Sequence, residues 1–192
     1  MAKKYEFKPD KPRNGLADRL YLTKKQRRQL LKWALYAAML LVLSVVQDVL
    51  LCRVRLYGAT TELVPVGIFL ICIVEGLESG CVFALISACV YQFSGTAAGT
   101  YCIVFITVLA VAVTMLRQAF LQKGFSAAML CTAAAVVCYQ LAVFFIGLFL
   151  ELTTLGRLPG FLITAVLSLL AAPALYPVTL AIGRIGGEVW KE

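Results

Sequence analysis

The sequence predicts an all-α integral membrane protein, built as a bundle of about six transmembrane helices. Hydrophobic residues make up 61% of the 192 residues, charged residues only 15%, and the mean hydropathy is +0.89. Soluble domains carry about 25% charged residues, so this composition is typical of a chain in a bilayer. The apolar residues also fall into successive runs close to the length of about 20 residues that a spanning helix needs.

The charge distribution divides the chain into a basic arm (1–32), a membrane domain (33–187) and a short tail (188–192). The arm holds eleven lysines and arginines against three acids, which accounts for the whole net charge of +8. A nucleic-acid-binding arm is the other interpretation. We expect no nucleic acid partner, because the arm runs directly into a membrane span, where basic residues meet lipid head groups.

Residues 16–32 are predicted to form a helix along the cytoplasmic membrane surface, with Thr23 capping its last part. Its leucines would contact lipid while its basic residues meet anionic head groups. The residues predicted to bind the membrane surface are Lys24, Lys25, Arg27 and Arg28.

The first span is predicted at 33–52, before two arginines. A cleaved signal peptide is the rival interpretation, but the preceding basic region and the apolar stretch are both too long for one.

The last span is predicted to kink at Pro173 and Pro177. The last three spans are predicted at 100–116, 125–150 and 161–182.

Two shorter apolar runs, 63–74 and 81–93, are predicted to form a tight hairpin. The segment between them, "EGLESG" (75–80), is predicted to be a cytoplasmic turn. Gly76 and Gly80 suit a tight reversal, because glycine readily adopts left-handed backbone conformations.

The two glutamates of this turn, Glu75 and Glu78, are expected to be solvated by water and to need no buried partner. The alternative keeps one of them inside the bundle, where an ionisable side chain usually marks a proton or substrate path. Asp48 is the acid that lies clearly inside a predicted span, and it is expected to bond a neighbouring helix or reach the outer interface. Gln92 and Gln140 are predicted to form interhelical hydrogen bonds.

Orientation follows from the positive-inside rule. With both termini in the cytoplasm, the inside segments carry fifteen basic residues and the outside segments three. Without the arm the ratio is four to three, so the orientation depends on the first span.

Catalysis and cofactor binding have no support in the sequence, so we expect no enzyme, cofactor or metal. The chain has no histidine, and its seven cysteines form no C-x-x-C pair. It also lacks the common catalytic and phosphate-binding motifs. The cysteines are predicted to be small apolar residues packed between helices.

The order of these features resembles the rod shape-determining protein MreD family over residues 33–187. The matching residues are Pro65, the run "SGCVFALISACVYQFSGTAAG" (79–99) and its final Gly99. An aspartate that closes the third span in the family falls on Tyr91 or Gln92 here, so its role does not carry over.

The resemblance implies a non-enzymatic subunit of the peptidoglycan elongation machinery in the bacterial cytoplasmic membrane. Such proteins bind MreC, a single-pass coiled-coil protein, and are linked through it to MreB filaments and to RodA-type polymerases with transpeptidases. We place the partner surface on the second and third spans and the 94–99 loop, where small residues allow close approach. The predicted partner-binding residues are Pro65, Ala84, Ala88, Tyr91, Gln92, Gly95 and Gly99. Large substitutions at Ala84 or Ala88 are expected to weaken partner capture without unfolding the bundle.

The family fold is thought to be similar to the six-helix substrate-binding subunits of energy-coupling-factor vitamin transporters. A vitamin-capture subunit is therefore the alternative function, and it needs a polar external cavity. The predicted external loops offer side chains for one, namely Tyr57, Thr60, Thr61, Glu62, Glu151, Thr153, Thr154 and Arg157.

Overall fold

The chain folds into an all-α bundle. A computed structural model describes residues 24–53, 59–95, 97–120 and 124–185. The α-helices in these ranges are α1 (Lys24–Val45), α2 (Leu63–Glu75), α3 (Leu77–Phe93), α4 (Tyr101–Phe120), α5 (Phe125–Phe149), α6 (Leu158–Leu170) and α7 (Ala172–Ile185). The predicted arm up to residue 23, including Thr23, and the predicted tail 188–192 lie outside the described residues.

Helix α1 begins earlier than the predicted first span. It is continuous from Lys24, so the prediction of a separate surface helix is wrong for residues 24–32. No glycine or proline interrupts this stretch, and straight-chain basic and leucine residues favour helix. At its other end α1 continues into a π-helical turn, Val46–Leu50, and a 3-10 turn, Leu51–Arg53.

Helix α2 lies at the centre of the bundle. Every residue from Leu63 to Val74 is buried, and α2 contacts each of the other six α-helices of the described chain. A helix that is apolar on all sides is typical of such a buried position. At 13 residues α2 is only about 20 Å long, which is shorter than a bilayer core of about 30 Å.

The predicted hairpin between α2 and α3 is confirmed, and its turn is tighter than "EGLESG" suggests. Gly76 alone separates the two helices, at a φ of +90°, and its N–H donates to the carbonyl of Cys72 at 3.0 Å. Glu78 and Gly80 already belong to α3. A side chain at Gly76 would be strained, because that backbone conformation favours glycine.

The last span is bent as predicted, but the bend lies at Ala171 and not at Pro173 or Pro177. Helices α6 and α7 meet at Ala171 with a bend of 46°. Pro173 lies in the first turn of α7, where a missing N–H costs no helical hydrogen bond, while Pro177 lies inside the helix.

Three helical segments of the described chain are long and apolar enough to cross a membrane: Gln26–Leu50, Tyr101–Gln118 and Phe125–Phe149. The bent pair α6–α7 makes a fourth if it counts as one span, and α2 and α3 are shorter apolar helices. Large apolar side chains on the outer faces of α1, α4 and α6, such as Val42, Val104 and Val166, are about 60% exposed. Such extensive apolar exposure suits a lipid environment, and the chain is a multi-pass membrane protein.

Candidate functional site

Polar side chains collect at the two ends of the buried helix α2. One end lies at Glu75, next to the start of α1, and is called the Lys32 end below. The other lies at Glu62, the residue that precedes α2, and is called the Glu62 end. Both glutamates lie close to the apolar core, so each needs a polar partner.

At the Lys32 end, Glu75 forms a buried ion pair with α1. The Nζ of Lys32 lies 2.6 Å from Glu75 Oε2, and the two side chains are only 7% and 5% exposed. The hydroxyl of Tyr36 donates to Glu75 Oε1 at 2.8 Å and also lies 3.1 Å from the carbonyl oxygen of Thr179. The expectation that Glu75 needs no buried partner is therefore wrong, whereas Glu78 is exposed as expected.

Arg117 supports the same end from α4. Its side chain is 7% exposed, and its guanidinium donates to the carbonyl of Ile73 in the last turn of α2. The last carbonyls of a helix lack intrahelical donors, and a cation there also complements the helix dipole. Lys32, Tyr36 and Arg117 thus hold the end of α2 from two neighbouring helices.

At the Glu62 end, Gln47 caps α2 from another helix. The π-helical turn after α1 buries Gln47, whose Oε1 accepts hydrogen bonds from the N–H groups of Leu63 and Val64 at 2.8 and 3.1 Å. The N–H of Glu62 donates to the hydroxyl of Ser168 in α6 at 2.8 Å. Three donors at the start of α2 are therefore satisfied by side chains, as a buried helix end requires.

The carboxylate of Glu62 accepts a hydrogen bond from Gln140 Nε2 of α5 at 3.0 Å. An interhelical hydrogen bond was predicted for Gln140, and its partner Glu62 is the residue that precedes α2. Among the described residues Glu62 forms no ion pair. Burial raises the pKa of Glu62 to about 7, although the hydrogen bond from Gln140 acts in the opposite direction.

Glu62 lines a partly open cavity of about 660 Å³. Of the eight residues that the sequence suggested for an external cavity, Thr60, Glu62 and Arg157 line this one, and Tyr57 lies outside the described residues. The remaining lining comes mainly from the start of α6. The lining residues also include Ala59, Gln140, Gly156, Pro159, Gly160, Phe161, Ile163 and Thr164.

A second concavity is an apolar groove of about 390 Å³ between α1 and α3, called the α1–α3 groove below. The two helices contact each other at few positions, and Val64 of α2 forms part of the floor. The walls are Ala37, Leu40, Leu41 and Ser44 of α1, and Phe83, Ile86, Ser87, Val90, Tyr91 and Ser94 at α3.

The structure places the predicted partner-binding residues in different environments. Ala84 and Ala88 are 0% and 1% exposed, because they face the core, so the prediction that large side chains there would spare the fold is wrong. Tyr91 lines the α1–α3 groove. Pro65 is buried within α2.

The remaining partner candidates lie at the end of α3 and beyond it. Gln92 is partly buried, and its Oε1 has no hydrogen-bond partner among the described residues, so its predicted interhelical bond is not seen. Gly95 is exposed at a φ of +77°, and Gly99 packs against the ring of Tyr101.

Of the predicted membrane-surface residues, Arg27 and Arg28 are exposed on α1 at the Lys32 end. Asp48 lies in the π-helical turn as a partly buried residue, and Ser44 lies 3.5 Å from its Oδ2. The bond of Asp48 is thus local rather than to a neighbouring helix.

Sequence reasoning missed the Lys32–Tyr36–Glu75 cluster and the cap by Gln47. Two signs were available in the sequence: an acid, Glu75, at the end of a continuous apolar run, and a lysine, Lys32, directly before a span. Neither sign identifies a partner 43 positions away.

Comparison with protein-family models, curated proteins and solved structures finds no match for this chain.

The raised pKa of Glu62 predicts a pH-dependent stability. Between pH 4.5 and about 7 the folded protein retains a proton that the unfolded chain has released, so stability falls as the pH rises through that window. Glu62→Gln should remove this loss and stabilise the protein at pH 8 by about 2 kcal/mol, since solvent at the partly exposed side chain screens part of the effect. Thermal unfolding in detergent at pH 5 and pH 8 measures the effect. Glu78→Gln is the exposed control and should leave the pH profile unchanged.

Proposed function

We propose that the chain is a non-enzymatic scaffold subunit of the bacterial cell-elongation complex, similar to MreD, and that it binds the transmembrane helix of an MreC-type partner. The observation that carries this proposal is the α1–α3 groove. It is a lipid-side concavity on the long first span, and its floor reaches the central helix α2.

A helix is the occupant that the groove suits best. In lipid a partner segment must satisfy its own backbone hydrogen bonds, so a partner that enters the groove from the membrane is helical. The small side chains of Ala37, Ser44 and Ser87 allow such a helix to approach closely. Leu41, Ile86 and Val90 are more than half exposed and offer apolar contacts along the walls.

The proposal includes the orientation with both termini in the cytoplasm. The Lys32 end would then lie at the cytoplasmic leaflet, where the exposed Arg27 and Arg28 meet anionic head groups. Leu30 and Leu31 are 60% and 51% exposed on the same turns of α1 and would contact the acyl chains. Through the partner, the protein would be linked to MreB-type filaments and RodA-type polymerases.

Filling the groove should release the partner. Ile86→Trp places a bulky ring in the α1–α3 groove, and we expect it to lower recovery of a single-pass coiled-coil protein at least about tenfold, which corresponds to a loss of about 1.4 kcal/mol. The measurement is a pull-down of the tagged full chain from native membranes in mild detergent, with partners quantified by mass spectrometry.

The matched control is Leu85→Trp, at the neighbouring position of α3. Leu85 is 48% exposed and does not line the groove, whereas Ile86 is 57% exposed and does. Equal loss for both variants would point to a general disturbance of α3, and unchanged recovery for Ile86→Trp would show that the groove is not the partner surface. Recovery of cell-wall polymerases with the wild-type chain is the result that the scaffold role requires.

A second candidate function, substrate capture for an energy-coupling-factor type vitamin transporter, is favoured by the cavity at the Glu62 end. Its volume of about 660 Å³ falls in the range of small-molecule sites, and it combines polar and apolar walls. The same pull-down distinguishes the two functions, because a capture subunit should recover paired ATPases with a membrane coupling subunit.

A further inference from the structure

The carboxylate of Glu62 has binding capacity that the protein does not use. An ionised carboxylate offers about four acceptor positions. Among the described residues its one side-chain hydrogen bond comes from the neutral amide of Gln140, at 3.0 Å. The N–H groups of Leu63 and Val64 at the start of α2 are already capped by Gln47. The free positions of the carboxylate therefore suit a donor that arrives in the cavity.

A cation lines the same cavity. Arg157, in the short 3-10 turn Leu155–Arg157 that leads into α6, is exposed and forms no ion pair among the described residues. Glu62 and Arg157 belong to one lining but do not neutralise each other. The cavity thus carries one anionic group, the carboxylate of Glu62, and one cationic group, the guanidinium of Arg157. Neither has a charged partner among the described residues.

The remaining walls are hydrophobic or carry hydroxyl groups. Phe161, Ile163 and Pro159 provide apolar contact, and Phe161 is held by edge-to-face packing against Phe144 at 5.4 Å between ring centroids. The fixed ring can also contribute a cation–π contact to a bound ammonium group. The volume of about 660 Å³ admits a small organic molecule.

We propose that this cavity binds a small zwitterion of amino-acid type, with its ammonium group paired to Glu62, its carboxylate paired to Arg157 and its side chain against Phe161. A zwitterion fits better than a simple amine or acid, because either of those would leave one charge of the site unpaired. The inference deepens the second candidate function, since it uses the same cavity, but it requires neither transport nor the scaffold role.

Proton competition should accompany this binding. The ammonium group pairs with ionised Glu62, so affinity should fall about tenfold per pH unit below a pKa of about 7. Tyr101 of α4 and Tyr139 of α5 lie within electrostatic range of Glu62, and Arg157 lines the same cavity. The charge that changes across this window is that of the Glu62 carboxylate. Glu62 is then the group that sets the dependence.

The experiment measures thermal stabilisation of the full chain in detergent at pH 8 by each proteinogenic amino acid at millimolar concentration. We expect at least one member with an apolar or aromatic side chain to raise the melting temperature. Its decarboxylated amine should bind about tenfold more weakly, and its deaminated acid should give no shift. Failure of every amino acid to stabilise the chain, or equal binding of the deaminated acid, would overturn the proposal.

Variants test the two charges separately. Glu62→Gln keeps the size of the side chain and should weaken the best ligand at least about tenfold and abolish its pH dependence. Arg157→Gln should remove the advantage of the amino acid over its amine. Retention of wild-type affinity in Glu62→Gln contradicts the assignment, even where ligand binding itself is found.

Gly160→Leu tests the location. Gly160 lines the cavity, and a Cβ there meets no atom within 4 Å, so this position has room for the start of a larger side chain. Gly124→Leu is the control, because a Cβ at Gly124 is equally unhindered but Gly124 does not line the cavity. Ligand stabilisation should be lost in Gly160→Leu and retained in Gly124→Leu. If the chain binds the amino acid but recovers no paired ATPases with a coupling subunit, the transporter role is wrong and the binding proposal stands.

Discussion

Replacing Lys32 by methionine should destabilise the bundle by about 3 kcal/mol, because it leaves Glu75 as a buried charge without its cation. The hydroxyl of Tyr36 remains as a donor but supplies no positive charge.

The free energy of unfolding in mixed detergent micelles measures this effect. Trp33 is a natural reporter, because its ring packs 5.2 Å from Phe83 and 5.9 Å from Tyr36 between centroids. The chain has two tryptophans, so a Trp190→Phe background makes its fluorescence specific.

The double variant Lys32→Met/Glu75→Gln should recover most of the stability, to within about 1 kcal/mol of the wild type, because removal of both charges leaves none unpaired. Arg28→Met is the exposed control on the same helix and should change stability by less than about 0.5 kcal/mol. A double variant as unstable as Lys32→Met alone would mean that packing of the lysine, not its charge, holds this end of the bundle.

Gly80→Ala should destabilise the protein by about 1–3 kcal/mol, the usual cost of overpacking a close contact. A Cβ at Gly80 would lie 3.0 Å from the Cα and 3.1 Å from the carbonyl oxygen of Cys72. Both atoms belong to the backbone of α2, so the helices must move apart. Their contact includes a hydrogen bond from Cys72 Sγ to the Gly80 carbonyl at 3.2 Å, which the shift would also disturb.

The matched control for this substitution is Gly160→Ala in the first turn of α6. A Cβ at Gly160 meets nothing within 4 Å, so alanine there should be neutral or stabilise the helix by up to about 1 kcal/mol. The two melting temperatures are compared under one detergent condition. If Gly80→Ala were as stable as Gly160→Ala, the close approach of α2 and α3 would not contribute to the fold.

The two ends of α2 differ in how their charged groups are engaged. At the Lys32 end each charged partner of Glu75 and of the α2 terminus is engaged within the protein. At the Glu62 end the carboxylate keeps unused acceptor positions beside an open cavity. Satisfied buried pairs are typical of a fixed structure, whereas uncompensated groups in a cavity are typical of a site that awaits a ligand.

Much of the fold could be predicted from local sequence. Gly76 marks the hairpin turn and Pro173 the break before α7, because each changes what the backbone itself can do. The candidate sites were less predictable. Thr60, Glu62 and Arg157 could be proposed as cavity residues from their place in polar loops, whereas Ala84 and Ala88, predicted for a partner surface, are buried in the core.

The sequence by itself determined that this is a helical membrane protein with a basic N-terminal segment, because composition and run length decide where a chain is stable in a bilayer. Only the tertiary structure decided that Ala84 and Ala88 face the core while Ile86 faces the groove, and that Glu75 pairs with Lys32. The physical reason is that the lipid-facing and core-facing sides of a spanning helix are both apolar. Hydrophobicity therefore cannot fix the rotation of the helix, and contacts between distant helices do so instead.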